Sequence, residues 1–145
     1  MDRSLKLSLA SLAIRLGLAG LFIYAGWQKL LDPLAFQLQI DRFQLVPFWM
    51  AGLAAVAFPW LEITSAGGLL TRRLRQGALA WFGLLLVMFT VVILISWARG
   101  LDVDCGCFGA TGGEANYPWY VTRNTLLLLS LGLVVWLDRQ ANRIR

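Results

Sequence analysis

Two cysteines separated by a single glycine are the most reactive side chains in this sequence. Cys105 and Cys107 are the only cysteines among 145 residues, and the chain has no histidine. The intervening glycine permits the unusual backbone angles that a small disulfide ring requires. Such a ring is strained compared with an ordinary disulfide, and strain makes the bond easier to reduce. The spacing therefore favours reversible thiol–disulfide exchange.

Two other interpretations of the cysteine pair remain open. A permanent disulfide between Cys105 and Cys107 would fix the surrounding loop without doing chemistry. Alternatively, the two thiolates could bind Cu(I), which prefers soft sulfur ligands, although no other soft ligand is close in sequence. A structural zinc site is disfavoured because it needs four ligands. We therefore assign no metal ligand.

Charged residues surround the pair in sequence. Arg99 and Arg123 would favour the reactive thiolate electrostatically, whereas Asp102 and Asp104 would oppose it. We expect Arg99, Arg123 and Asp104 to be supporting charges around a catalytic Cys105 and Cys107.

The elements that must position these residues are membrane helices. Hydrophobic residues make up 59% of the chain and charged residues 14%, against about 45–50% and about 25% in soluble domains. Four apolar stretches have spanning length, at about residues 9–31, 48–70, 77–98 and 118–138. The sequence predicts one all-α domain over residues 1–145, an integral four-helix transmembrane bundle in the lipid bilayer.

The net charge of +5 is explained by basic residues beside the spans, so no nucleic-acid partner is expected. Eight lysines and arginines lie before span one, between spans two and three, or after span four; four lie on the opposite side. The positive-inside rule then places both termini in the cytoplasm. It places the Cys-Gly-Cys loop outside, where disulfides persist.

The segments outside the spans are expected to form an outer cap from residues 32–47 and 99–117. Asp32 followed by Pro33 is a typical helix start, an N-cap before proline at the first helical position. Apolar and polar residues then alternate along the chain until Pro47. The pattern predicts a short interfacial helix that ends at Pro47.

Charged residues within the spans need partners, because an ionisable group in the membrane is costly. Arg15 in span one and Glu62 in span two lie at similar depths from the cytoplasmic end, which predicts a buried ion pair between them. Alternatively, Glu62 relays protons or binds a substrate, in a cavity opened by a kink at Pro59. Lys29 either reaches the interface beside Asp32 or faces the same outer cavity as the cysteines.

Several stretches resemble a known family. Residues 24–33 (YAGWQKLLDP) resemble the end of the first span of DoxX-like membrane proteins, and residues 58–62 (FPWLE) are similar to their second span. Residues 104–109 (DCGCFG), with Arg123-Asn124 opening span four, resemble the methylamine-utilisation MauE branch of that family.

This resemblance implies a four-helix protein of the cytoplasmic (inner) membrane, with the Cys-Gly-Cys loop in the periplasm. It further implies a role in maturation of methylamine dehydrogenase, whose small subunit is rich in disulfides, alongside a periplasmic thioredoxin-like partner. We expect thiol exchange with that partner or with a disulfide-containing substrate, by this chain as an oxidoreductase or as a subunit of one.

A quinone is a candidate second redox partner, near Lys29, Arg99 or Arg123. Two other functions remain open for the chain. It could be a non-catalytic membrane scaffold with a structural disulfide. It could instead be a small-solute or metal transporter that uses the Arg15–Glu62 region.

Overall fold

The structure is a computed structural model that describes residues 3–103 and 115–144. Those residues form five helices and no strand: α1 (Arg3–Leu31), α2 (Pro33–Arg42), α3 (Phe48–Leu70), α4 (Arg75–Ala98) and α5 (Tyr117–Ile144). All except the short α2 are long and apolar enough to cross a membrane. The predicted all-α, four-span membrane bundle is confirmed.

The helix bounds differ from the predicted spans mainly at the two ends of the chain. The bounds of α3 match the prediction, whereas α1 begins at Arg3 and α5 continues to Ile144. A hydropathy window detects only the apolar part of a helix. Polar turns that continue the same helix past the hydrocarbon layer are therefore missed.

The short helix α2 begins where it was predicted and ends earlier. Asp32 Oδ1 accepts a hydrogen bond from the Ala35 backbone N–H at 3.0 Å, which confirms the cap. The predicted end at Pro47 is wrong, since α2 ends at Arg42. Gln44 then adopts a positive φ of 52°, a left-handed conformation that stops the helix.

The four long helices enclose an apolar core. The rings of Phe22 on α1 and Phe82 on α4 stack with centroids 3.8 Å apart. Around them pack Leu69 and Val134, both fully buried. The outward faces carry large apolar side chains, such as Leu129 at 65% exposure. Such a surface suits lipid, which solvates apolar side chains.

Close packing of α1 on α3 depends on Gly26. A Cβ atom at this position would lie 2.8 Å from Ile63 Cγ1 and 3.0 Å from the Pro59 carbonyl oxygen. Small residues permit such approaches between membrane helices. This contact fixes the relative register of α1 and α3, and with it the partners of their charged side chains.

The alternating helix directions give the bundle two distinct ends. We call the end with the start of α1, the α3–α4 connection and the end of α5 the terminal end. The opposite end, where α2 packs and α4 leads into α5, is the α2 end.

Candidate functional site

A buried ion pair joins α1 to α3 in the interior of the bundle. Lys29 Nζ donates to Glu62 Oε2 at 2.7 Å and to Oε1 at 2.8 Å. The two side chains are only 2% and 5% exposed. Because both carboxylate oxygens contact the ammonium group, each charge is neutralised where water is excluded.

The predicted Arg15–Glu62 pair is therefore wrong. Of the two positions predicted for Lys29, the one at the interface beside Asp32 is also wrong, because the side chain is buried against Glu62. Arg15 and Lys29 are separated by about 21 Å along α1 at 1.5 Å per residue. In the antiparallel packing of α1 and α3, Arg15 lies opposite Leu69, whose carbonyl oxygen is 3.5 Å from Arg15 Nη1. The similar depths of Arg15 and Glu62 were counted from the predicted ends of the spans. Because α1 begins at Arg3, before the predicted start of span one, Arg15 lies deeper along its helix than that count gave.

The surroundings of the pair include an aromatic ring and a buried amide. Lys29 Nζ lies 5.4 Å from the centre of the Phe36 ring on α2, a distance at which the cation is attracted to the ring face. Across the bundle, Asn124 Nδ2 donates to Thr90 Oγ1 at 3.2 Å. The charged pair thus occupies a polar level within an otherwise apolar bundle.

A small cavity of about 20 Å³ lies between Glu62 and Asn124. That volume suits a single water molecule. The cavity expected from a kink at Pro59 is therefore too small in this structure for a solute, and Pro59 is buried within a continuous α3. The geometry fits a structural role for Glu62 better than a solute-binding role.

The two described ends of the α4–α5 connection are held together at the α2 end. The Tyr117 hydroxyl donates to the Leu101 carbonyl oxygen and accepts from the Val103 backbone N–H. In addition, the Ala115 backbone N–H donates to Asp102 Oδ1 at 2.9 Å. We call these five residues the clasp. Residues 104–114, which carry the cysteines, are joined to the bundle through it.

Aromatic packing anchors the clasp to the bundle. The Tyr117 ring stacks on Trp97 of α4 with centroids 5.8 Å apart, and it meets Tyr120 edge-on at 6.3 Å. Val103 is also buried, at 3% exposure. Both ends of the connection are therefore fixed to helices rather than only to each other.

Two predicted supporting arginines lie near this region, in different environments. Arg99 Nη1 donates to the Phe43 carbonyl oxygen at 3.2 Å, and its Nη2 lies 3.4 Å from Gln44 Oε1. Arg99 thus links the end of α4 to the end of α2. Arg123 on α5 lies over the Tyr120 ring at 5.6 Å.

The structure does not bring all of the predicted site residues together. Lys29 forms an ion pair with Glu62, whereas Arg99 donates a hydrogen bond to Phe43 at the end of α2. Cys105, Cys107 and Asp104 lie outside the described residues. The sequence reasoning missed Tyr117, for which an aromatic residue directly before a span gave only a weak signal.

An apolar cavity of about 210 Å³ lies between α2, α3 and α4. Phe43, Phe58 and Phe89 line it together with Gln39. The Gln39 side chain is buried and makes no hydrogen bond within the described ranges. Phe43, which lines this cavity, also accepts a hydrogen bond from Arg99 at the end of α4. The cavity therefore lies close to the end of α4, which leads into the clasp.

Fold and site together define a multi-pass helical membrane protein with a buried ion pair and a fastened connection between its last two spans. Within that class, the family model described as "Methylamine utilisation protein MauE" matches residues 7–137. The chain belongs to the MauE family, as the sequence predicted.

Three curated relatives carry the name "Methylamine utilization protein MauE". The protein from Methylorubrum extorquens is 35% identical over 100 residues, which cover 68% of this chain and 53% of the relative. The Paracoccus denitrificans protein is 30% identical over 124 residues, covering 85% and 66%. The Methylophilus methylotrophus protein is 28% identical over 97 residues, covering 66% and 51%.

The matched part of the chain thus spans about half to two thirds of the length of these relatives. No solved structure shows a significant match.

Proposed function

We propose that this protein is a thiol-redox membrane component of methylamine utilisation. Its Cys105 and Cys107 would exchange disulfides with a periplasmic thioredoxin-like protein or with a maturing substrate of the methylamine dehydrogenase type. The observation that carries the proposal is the MauE family match over residues 7–137, in a chain whose only cysteines form a Cys-Gly-Cys pair.

The exchange conserves electrons and protons. A thiolate of the partner attacks one sulfur of the Cys105–Cys107 disulfide, which forms a mixed disulfide and releases the other cysteine as a thiolate. The second partner thiol then attacks the partner's sulfur in the mixed disulfide. The partner leaves as a disulfide, and the pair retains two electrons and two protons as a dithiol.

The clasp supports this proposal because it defines where the reactive segment is attached. Tyr117 and Asp102 hold the two ends of that segment against α4 and α5. The described residues on both sides of the Cys-Gly-Cys segment are thus attached to the same end of the bundle. The proposed orientation, with the α2 end in the periplasm, follows from the distribution of basic residues.

A quinone is the proposed acceptor that returns the dithiol to the disulfide, taking up two electrons and two protons. The apolar cavity between α2 and α4 supports this assignment, since aromatic side chains line it and the Gln39 amide could donate to a carbonyl oxygen. Gln39→Leu should slow quinone-dependent oxidation of the thiols without affecting oxidation by diamide. Equal quinone-dependent rates would reject this acceptor site.

Serine substitutions test the main proposal. The variants Cys105→Ser, Cys107→Ser and the double variant should each insert into the membrane at wild-type levels. Each should leave the disulfides of the substrate subunit incomplete, as measured by thiol labelling and mass spectrometry. If the double variant supports complete disulfide formation, the pair is a structural element and the chain is a scaffold.

A further inference from the structure

The terminal end contains an open, positively charged cavity that the thiol chemistry does not use. The cavity encloses about 730 Å³ between α1, α4 and α5. Its charged lining consists of Arg15, Arg72, Arg75, Arg139 and Asp138. Four arginines against one aspartate leave a formal charge of +3, which favours an anionic ligand.

The single lining carboxylate is already engaged. Asp138 Oδ1 accepts from Ser11 Oγ at 2.6 Å, and Oδ2 accepts from Arg75 Nη1 at 3.0 Å. Asp138 therefore orients Arg75, and neither Arg72 nor Arg139 forms an ion pair with it in the described part of the chain. Arg75 Nε is buried and has no hydrogen-bond partner in the described part of the chain. A buried donor of this kind is normally satisfied.

The start of α4 adds to the positive potential of the cavity. Arg75 and Gln76 in the first turn line it. The N-cap residue, Leu74, gives no side-chain hydrogen bond, and no acidic residue lies in that first turn. The Arg75 backbone N–H already donates to the Thr71 carbonyl oxygen at 3.1 Å, so the helix start acts on an anion mainly through its dipole.

Two of the arginines are available for a ligand. Arg72 and Arg139 are exposed and form neither an ion pair nor a side-chain hydrogen bond within the described residues. Guanidinium groups bind phosphate through paired, charge-assisted hydrogen bonds. The lining also includes the apolar residues Leu79, Leu131 and Val135.

We infer that this cavity binds a phosphate group. A phospholipid headgroup or a free phosphate would supply the same chemistry to the arginines. Basic pockets between transmembrane helices are suited to anionic headgroups, and the apolar part of the lining provides a surface for the start of an acyl chain. The phosphate would accept hydrogen bonds from Arg72 and Arg139.

Binding measurements with two matched double variants test this inference. Arg72→Gln/Arg139→Gln removes two cavity charges that hold no described structural contact. Arg73→Gln/Arg143→Gln removes two charges at the same end that do not line the cavity, so both proteins have the same net charge. Purified full-length protein would be titrated with short-chain phosphatidylglycerol, short-chain phosphatidylcholine and inorganic phosphate at constant ionic strength.

The inference predicts saturable binding to the wild type that weakens at least ~tenfold in the cavity variant and is unchanged in the control. Binding of phosphatidylglycerol without inorganic phosphate identifies a lipid as the source of the phosphate. Binding of inorganic phosphate with similar affinity identifies a soluble ligand. No saturable binding of any probe, or equal loss in both double variants, would overturn the inference.

Discussion

The buried Lys29–Glu62 pair and the cavity at the terminal end use charge in opposite ways. Inside the bundle, Lys29 and Glu62 form a closed pair, with side chains 2% and 5% exposed. At the terminal end, Asp138 contacts Arg75 with both side chains 21% exposed. Three further arginines line the same cavity. One region is balanced and closed, and the other has surplus charge around an open volume.

This difference separates structural charges from ligand-binding charges. The Lys29 ammonium donates to both oxygens of the buried Glu62 carboxylate, so it is not available to bind a ligand. It mainly fixes the packing of the helices that carry it. An arginine beside an open cavity can exchange water for a phosphate oxygen at small cost to the fold. We therefore assign stability to the Lys29–Glu62 pair and binding to the terminal cavity.

The largest expected effect comes from breaking the closed pair. Glu62→Gln leaves the Lys29 ammonium buried without its counter-charge. It should lower the free energy of unfolding by about 3–5 kcal/mol, measured by SDS titration of the protein in mixed micelles. Lys29→Gln should have a similar cost.

The double variant Lys29→Gln/Glu62→Gln provides the control for this prediction. It should recover much of the lost stability, since no buried charge remains unpaired. Additive losses in the double variant would show that the two residues act independently, contrary to the contact described.

A smaller loss is expected from Gly26→Ala, which pushes α1 away from α3. The new Cβ would meet the Pro59 carbonyl oxygen at 3.0 Å, and backbone cannot move aside easily. The cost should be about 1–3 kcal/mol, measured by the same titration. Gly20→Ala is the matched control, because nothing lies within 4 Å of its Cβ position; equal effects at both positions would contradict the close approach.

The smallest stability effect is expected at the terminal end. Asp138→Asn weakens the bonds to Ser11 and Arg75. Because this ion pair is partly exposed and screened, the loss should be about 1 kcal/mol or less. Phosphate binding should be retained in this variant, since the cavity becomes more positive. A loss comparable to that of Glu62→Gln would contradict the proposed difference between the buried pair and the terminal cavity.

The features that could be predicted from the sequence were those encoded locally. Continuous apolar runs indicated the four spans, and Asp32-Pro33 indicated the start of α2. The partner of Glu62 depended instead on the register between α1 and α3, which follows from the contact of Gly26 with the Pro59 carbonyl. A glycine within a helical stretch does not identify what it packs against.

The clasp and the terminal cavity were unpredictable for a related reason. Tyr117 contacts a carbonyl oxygen sixteen residues earlier in the chain. The bond from Ser11 to Asp138 joins the first helix to the last. Contacts of this kind depend on the assembled bundle, and neither local propensity nor charge spacing contains that information.

Trapping of a mixed disulfide tests the proposed redox role most directly. Cys105→Ser and Cys107→Ser proteins would be expressed in cells that use methylamine, quenched in acid, alkylated and separated without reductant. We predict that one single variant forms a reductant-sensitive adduct with a periplasmic thioredoxin-like protein or a disulfide-containing substrate, and that the double variant forms none. Absence of such an adduct in both single variants, with each present in the membrane at normal levels, would contradict the account.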